Sequence, residues 1–265
     1  MQNFPQPAQG FPPPPGGPPG GPFGGSAGAP PPAPKKSKTP WIIAGVGCLI
    51  IGGFVVLAIV GGLAAFVSKM KSTQTTDAPP ARQAPGTKQY VNSRAGRTGD
   101  LALNYVDFSF YYPEDWQLVP NQTKNFVKVE RDDEQGTTLE NFTVGWISTP
   151  GTAFDKQLLP KLAKQLGAQL TTSFKDYEQV SEGETKVGPY EGYETRFTAE
   201  LPGTPKGDAT IYGRLVLLPP PAGQRKGVAL LLLTTGLVPE ITSVDDVGSK
   251  GDLAVILDSF RLGAK

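Results

Sequence analysis

From Trp41 to Val67 the chain reads WIIAGVGCLIIGGFVVLAIVGGLAAFV, an apolar run with no charged residue inside it. At about 1.5 Å per residue a helix of this length reaches roughly 40 Å, more than the ~30 Å hydrocarbon core of a bilayer. Residues 41–67 are therefore predicted to cross a membrane once, with some tilt. No other stretch has that character.

Downstream the pattern changes to alternation. Phe108, Phe110 and Tyr112 fall on one face of a strand. Pro113, Glu114 and Asp115 supply a turn, and Trp116 and Leu118 resume the alternation. Phe126, Lys128 and Glu130 interleave with Val127, Val129 and Arg131 in a second strand, and Phe142, Val144 and Trp146 mark a third. Leu158, Leu162, Leu166 and Leu170 then recur every fourth residue, with Lys161 and Lys164 outside, which predicts a helix. Pro160 is expected in its first turn or at a kink. Strands return over residues 177–186 and, past Gly188 and Pro189, along Tyr193, Thr195 and Phe197. Residues 211–218 and 228–234 are two strongly apolar strands. The second is apolar on both faces, so it should be central and covered twice. Leu253, Ile256, Leu257 and Phe260 give a last helix one packed face. Strands, helix, strands, helix is the order of an α+β domain, an α/β/α-type sandwich with a central, largely antiparallel sheet.

Composition divides what remains. The first 34 residues hold 13 Pro and 8 Gly, with Phe4, Phe11 and Phe23 their only large apolar side chains. Such a segment cannot bury enough surface to offset its ordering entropy. The expected organisation is a disordered Pro/Gly-rich tail over 1–40, the span over 41–67, a polar linker over 68–98 and the α+β domain over 99–265. The tail reads as a solvated spacer or as a polyproline II ligand for an aromatic-lined groove.

Net charge is +1, yet all 24 acidic residues follow the span, against 22 of the 25 basic ones. No concentrated basic face is present, so nucleic acid is not an expected partner. Cys48 is the only cysteine and histidine is absent. That excludes an intrachain disulfide and removes the commonest general base and metal ligand. The apolar run lies too far from Met1, and is too long, for a cleaved signal peptide. Gly45 stands where a lipoprotein signal would put a Leu-like residue before its cysteine. A permanent signal anchor remains. Lys35, Lys36 and Lys38 on one side nearly balance Lys69 and Lys71 on the other. The folded part following the span favours a cell-membrane protein with its tail cytoplasmic and its domain extracytoplasmic. Within the span, Ala44, Cys48 and Gly52, and again Ala58 and Gly62, form a small-residue face on which two copies could pack as a homodimer.

The segment Phe108-Ser109-Phe110-Tyr111-Tyr112-Pro113-Glu114-Asp115-Trp116 resembles the F-x-F-x-Y-P-x-x-W opening of PsbP-like domains, a family with DcrB-like bacterial members. The stretch from Val187 through Gly188 and Pro189 to Phe197 is similar to their second hairpin. Ile256-Leu257-Asp258-Ser259-Phe260-Arg261 resembles their closing helix and final strand. The resemblance implies a central antiparallel sheet flanked by helices and no shared active site, several relatives acting by binding another protein. Fold alone does not fix function.

Candidate chemistry is sparse. Asp132, Asp133 and Glu134, and Asp245 and Asp246, lack the ligand spacing of a calcium loop and read as solvated or helix-start residues. No serine stands in a G-x-S-x-G elbow and there is no P-loop. Asn121 and Asn141 begin glycosylation-type triplets, which matter only in a secretory host. Tyr111, Trp116, Tyr190 and Tyr193 lie near turns, where they form either a recognition surface or core; for Trp116 core is the preferred reading. No catalytic, cofactor or metal residue is expected. The leading expectation is a non-enzymatic, membrane-tethered envelope protein, with lipid held through residues 41–67 and a protein partner held by the domain. A metal or small-ligand receptor, and a cytoplasmic adaptor working through the proline-rich tail, stand as alternatives.

Overall fold

The computed structural model describes residues 83–120 and 122–263. The expected tail, the expected span with its face of Ala44, Cys48, Gly52, Ala58 and Gly62, and the first part of the expected linker lie outside the described residues. Among the described residues no helix is long and apolar enough to cross a membrane.

Seven strands build one antiparallel sheet: β3 (Gln117–Leu118), β4 (Val127–Asp132), β5 (Thr138–Ser148), β6 (Lys175–Val187), β7 (Tyr190–Thr204), β8 (Gly207–Leu218) and β9 (Lys226–Thr235), in the spatial order β3-β4-β5-β9-β8-β7-β6. The chain lays down β3 to β5, then crosses the sheet through helix α2 (Asp155–Ser173) to the far edge. It returns as the meander β6 to β9, and β9 closes the sheet by pairing with β5 from Glu140↔Thr234 to Ser148↔Lys226. The all-antiparallel arrangement of an α+β fold is thus the observed one.

β9 is the middle strand, and its period-2 alternation feeds two separate cores. Val228, Leu230 and Leu232 join one cluster, Ala229, Leu231 and Leu233 the other. The second core lies under α2, whose Leu159, Leu162, Ala163 and Leu170 pack with Phe197, Leu215 and Leu217. Strict four-residue spacing from Leu158 does not describe that stripe: Leu159 is buried and Leu158 only half so. At 3.6 residues per turn a four-residue repeat drifts off one face, so contacts alternate between three and four. Pro160 sits inside the helix at an exposed position.

The first core is closed by helix α3 (Gly251–Ser259) and a small sheet of β1 (Thr87–Val91), β2 (Phe108–Pro113) and β10 (Arg261–Leu262), in the order β1-β2-β10. Phe110 and Phe260 meet Phe142 of the large sheet, Phe110 edge-on at 5.0 Å between ring centres, and Phe108 stacks on both of them. Each of these side chains contributes about 2–3 kcal/mol by burial. β1 and the short helix α1 (Gly99–Leu103) are additions to the sequence reading. Five residues of the expected linker form a strand, registered from Thr87↔Pro113 to Val91↔Ser109, so the folded unit begins before residue 99. Its polar sequence hid it, because backbone pairing and the single inward ring of Tyr90 hold it in place. Tyr90 stands 5.3 Å from Phe110 and 5.9 Å from Phe108.

Candidate functional site

The β6–β7 turn and the β8–β9 loop emerge side by side, and between them opens a cleft of about 570 Å³. One wall is the run Pro219, Pro220 and Pro221; the other is Pro189, Tyr190 and Glu191, with Leu262 and Gly263 at the base. Two close backbone approaches shape the proline wall. A Cβ on Gly227 would stand 2.3 Å from the Leu218 carbonyl oxygen, and one on Gly192 would stand 2.5 Å from that of Leu217. Glycine at both positions lets β7 and β9 close on the end of β8, from which the prolines project. Their fixed φ values keep the wall stiff.

Tyr190 is pinned in the opposite wall. Its hydroxyl donates to the Leu262 carbonyl at 3.2 Å and accepts from the Leu262 N–H at 2.9 Å, tying β7 to β10. At the rim, Lys156 of α2 lies 3.1 Å from Glu191 and 3.5 Å from Glu184, and Lys186 lies 3.9 Å from Glu191. The hydrogen bond from Lys156, and then the charges of Lys156 and Lys186, hold the Glu191 carboxyl below its ordinary value. Exposed pairs of this kind contribute little stability. They line the cleft with fixed charges of both signs.

Of the aromatic side chains picked out by sequence, only Tyr190 lines this cleft. Tyr193 packs on the core under α2, whereas Tyr190 packs on the aromatic core, so the two occupy opposite faces of the sheet. Three residues apart on a strand, they could not share a face. Tyr111 is half-buried on β2, opposite Gln89, and its N–H donates to Ser259 Oγ at 2.9 Å. Trp116 is core, 1% exposed, with its indole N–H donating to Asp252 at 3.2 Å. Asp246 knots a loop: its carboxylate accepts from Thr242 and Ser243 and pairs with Lys250 at 2.7 Å. Among the described residues no group of three or more His, Cys, Asp or Glu side chains could hold a metal ion.

Two polar clusters escaped the sequence reading. Glu194, Arg196 and Arg214 form a network beneath the segment joining β9 to α3, and Glu140 is buried opposite Thr234. Arg214, inside the apolar run of β8, and Glu140, in phase with Phe142 and Val144 on β5, are charges at core-facing positions, and that misfit was the available signal. The cleft had one too: three consecutive prolines between the two most apolar strands.

No protein-family model and no curated protein matches the chain. Among solved structures it is similar to LpqN, described as involved in cell envelope biogenesis of Mycobacterium tuberculosis, at 12% identity over 66% of this chain and 91% of that one, with a TM-score of 0.40. It is also similar to cyanobacterial PsbP (CyanoP) from Synechocystis sp. PCC 6803, at 13% identity over 68% and 94%, with a TM-score of 0.39. The Saccharomyces cerevisiae Ran-binding protein Mog1p matches at 14% identity over 48% and 71%, with a TM-score of 0.30.

Proposed function

We propose that the chain is a non-enzymatic, membrane-tethered protein of the cell envelope whose PsbP-like domain, held outside the membrane by a helix over residues 41–67, binds or stabilises a protein partner. The cleft between Tyr190 and Pro219–Pro221 carries the partner-binding reading. Its walls are stiff, so little ordering entropy is lost on docking. Aromatic and proline walls inside a charged rim have the make-up of a protein interface. The tether rests on the uncharged run of residues 41–67.

The reading is tested in intact cells with a photo-crosslinking residue placed at Gln224, which lines the cleft, or at Gln135, in the β4–β5 turn. A discrete protein adduct is expected from Gln224 and none from Gln135. Equal background at both sites would remove the cleft from consideration. External protease on the same cells should digest the domain, and a protected domain would reverse the topology. A cleft of this volume also suits a small ligand. That reading gains if a metabolite panel raises the melting temperature while Gln224 captures nothing.

A further inference from the structure

Glu140 on β5 is sealed from solvent, its side chain 0% exposed. Its Oε2 accepts from Arg131 Nη2 at 2.6 Å across the β4–β5 ladder, while its Oε1 has no hydrogen-bond partner. Directly opposite on β9 stands Thr234, also buried, whose Oγ1 has no partner either. Facing residues of an antiparallel pair hold their Cβ atoms about 4.5–5.5 Å apart, within reach of a glutamate and a threonine. A buried carboxylate oxygen left without a partner, opposite a buried hydroxyl that makes no hydrogen bond either, asks for an explanation.

The charges around them supply one. Arg131 also approaches Asp252 in the first turn of α3, its Nε 3.9 Å from Oδ2, and that Nε makes no hydrogen bond. The same Asp252 oxygen accepts the indole N–H of Trp116. Glu240, from the loop after β9, lies against Gly251 at the start of α3. Around Glu140, then, β4 offers Arg131, α3 offers Asp252, the loop offers Glu240, and β9 offers only the neutral Thr234. Two carboxylates share one guanidinium and the charge of a third acts on Glu140, which favours the uptake of a proton by the one least able to reach water. Burial holds the Glu140 carboxyl above its ordinary value; Arg131 opposes this, and Asp252 and Glu240 add to it.

We propose that Glu140 is the proton-accepting site of a relay that passes the Arg131 guanidinium from Glu140 to Asp252. A proton from hydronium joins Oε1, leaving a water molecule, and the new O–H donates to Thr234 Oγ1. No covalent bond of the protein is broken. With the carboxylate neutral, Arg131 follows the remaining charge to Asp252 and closes the 3.9 Å gap. Asp252 then divides its oxygen between Arg131 and the Trp116 indole, so the first turn of α3 registers the pH.

The test uses the full-length chain in detergent micelles, with ¹⁵N at its 3 tryptophan indoles, followed from about pH 8 to about pH 4. The Trp116 signal, assigned by Trp116→Phe, should move with a midpoint above the ordinary glutamate range. In Glu140→Gln, fixed in the neutral form, it should stay at the acid position throughout. Thr234→Val keeps the shape but removes the acceptor, and should lower the midpoint by about 0.7 pH unit, the equivalent of one neutral hydrogen bond. A Trp116 signal that stays flat in the unaltered protein, or titrates unchanged in Glu140→Gln, overturns the relay. An unmoved midpoint in Thr234→Val, or a raised one, which would mean that the hydroxyl donates to the ionised carboxylate, overturns Thr234 as the acceptor.

Discussion

Arg214 closes on a single oxygen of Glu194, with Nη2 at 2.6 Å and Nε at 2.9 Å from Oε2. The other oxygen of that carboxylate takes Arg196 Nε at 2.7 Å. Both guanidinium groups reach onward to main-chain carbonyls, Arg196 to Val244 at 2.9 Å and Arg214 to Val247 at 3.4 Å. One carboxylate therefore bridges two arginines, the second of which, Arg196, also has Asp245 at 3.8 Å, and both anchor the segment between β9 and α3 onto β7 and β8.

Removing the shared member should cost more than removing either arginine. Glu194→Ala leaves two nearly buried cations facing each other, 7% and 14% exposed, a loss of about 3–5 kcal/mol. Arg196→Met keeps the closer Arg214–Glu194 contact and should cost about 1 kcal/mol. Urea unfolding of the two variants measures the difference. Equal losses would mean that the network is not centred on Glu194.

Acid should act on Glu194 and Glu140 with opposite sign. Burial raises Glu194, but the Thr185 hydroxyl and both arginines more than offset it, so its folded value lies below the ordinary 4.5. Its stabilisation is present above that ordinary value and is lost as pH falls through the folded value. Glu140 lies above 4.5 when folded, so its contribution is present below 4.5 and is lost as pH rises through the folded value. The stability gap between the unaltered protein and Glu194→Gln should shrink on going from about pH 5 to about pH 3. Relative to Glu140→Gln, the unaltered protein should weaken on going from about pH 5 to about pH 7. Parallel curves for the two variants would refute the assignment.

What was readable in the chain follows from how each residue is held. β9 announced its central place because Val228 to Leu233 is apolar at every position, which only a doubly covered strand tolerates. The aromatic line of Phe108, Phe110 and Tyr112, and both long helices, were equally plain. β1 was not, because ladder pairing with β2 leaves no mark in a polar sequence. The pairing of Tyr190 with Leu262 spans 72 residues, and no local pattern encodes that separation. Glu194 and Arg196 look like an ordinary solvated face until the segment at Val244 covers them.

The proline wall should depend on the glycine behind it. In Gly227→Ala the new methyl meets backbone at 2.3 Å from the Leu218 oxygen and 2.9 Å from the Pro220 nitrogen, atoms that cannot rotate aside. A loss of about 3 kcal/mol is expected, with displaced amide signals at Leu218, Ala222 and Tyr190, which flank and face the prolines. Gly223→Ala, in the same loop, meets nothing within 4 Å but has φ at +79°, and should cost only about 1 kcal/mol of backbone strain. If Gly223→Ala proved the more damaging, close approach would not be what shapes the cleft.

Where the folded unit begins can be tested at β1. Deleting residues 83–98 from the full chain removes the ladder on β2, the Tyr90 ring over Phe108 and Phe110, and the Asn92 side-chain bond to the Val106 carbonyl at 2.7 Å. β2 would then carry an unpaired edge beside the aromatic core, a template for association. The deletion should lower unfolding stability by several kcal/mol and shift the protein toward aggregates on size exclusion. Tyr90→Ala separates the ring from the ladder: it leaves the backbone pairing intact and should cost about 3 kcal/mol without aggregation. A deletion variant that unfolds like the full chain would return β1 to the linker and place the start of the fold near Gly99.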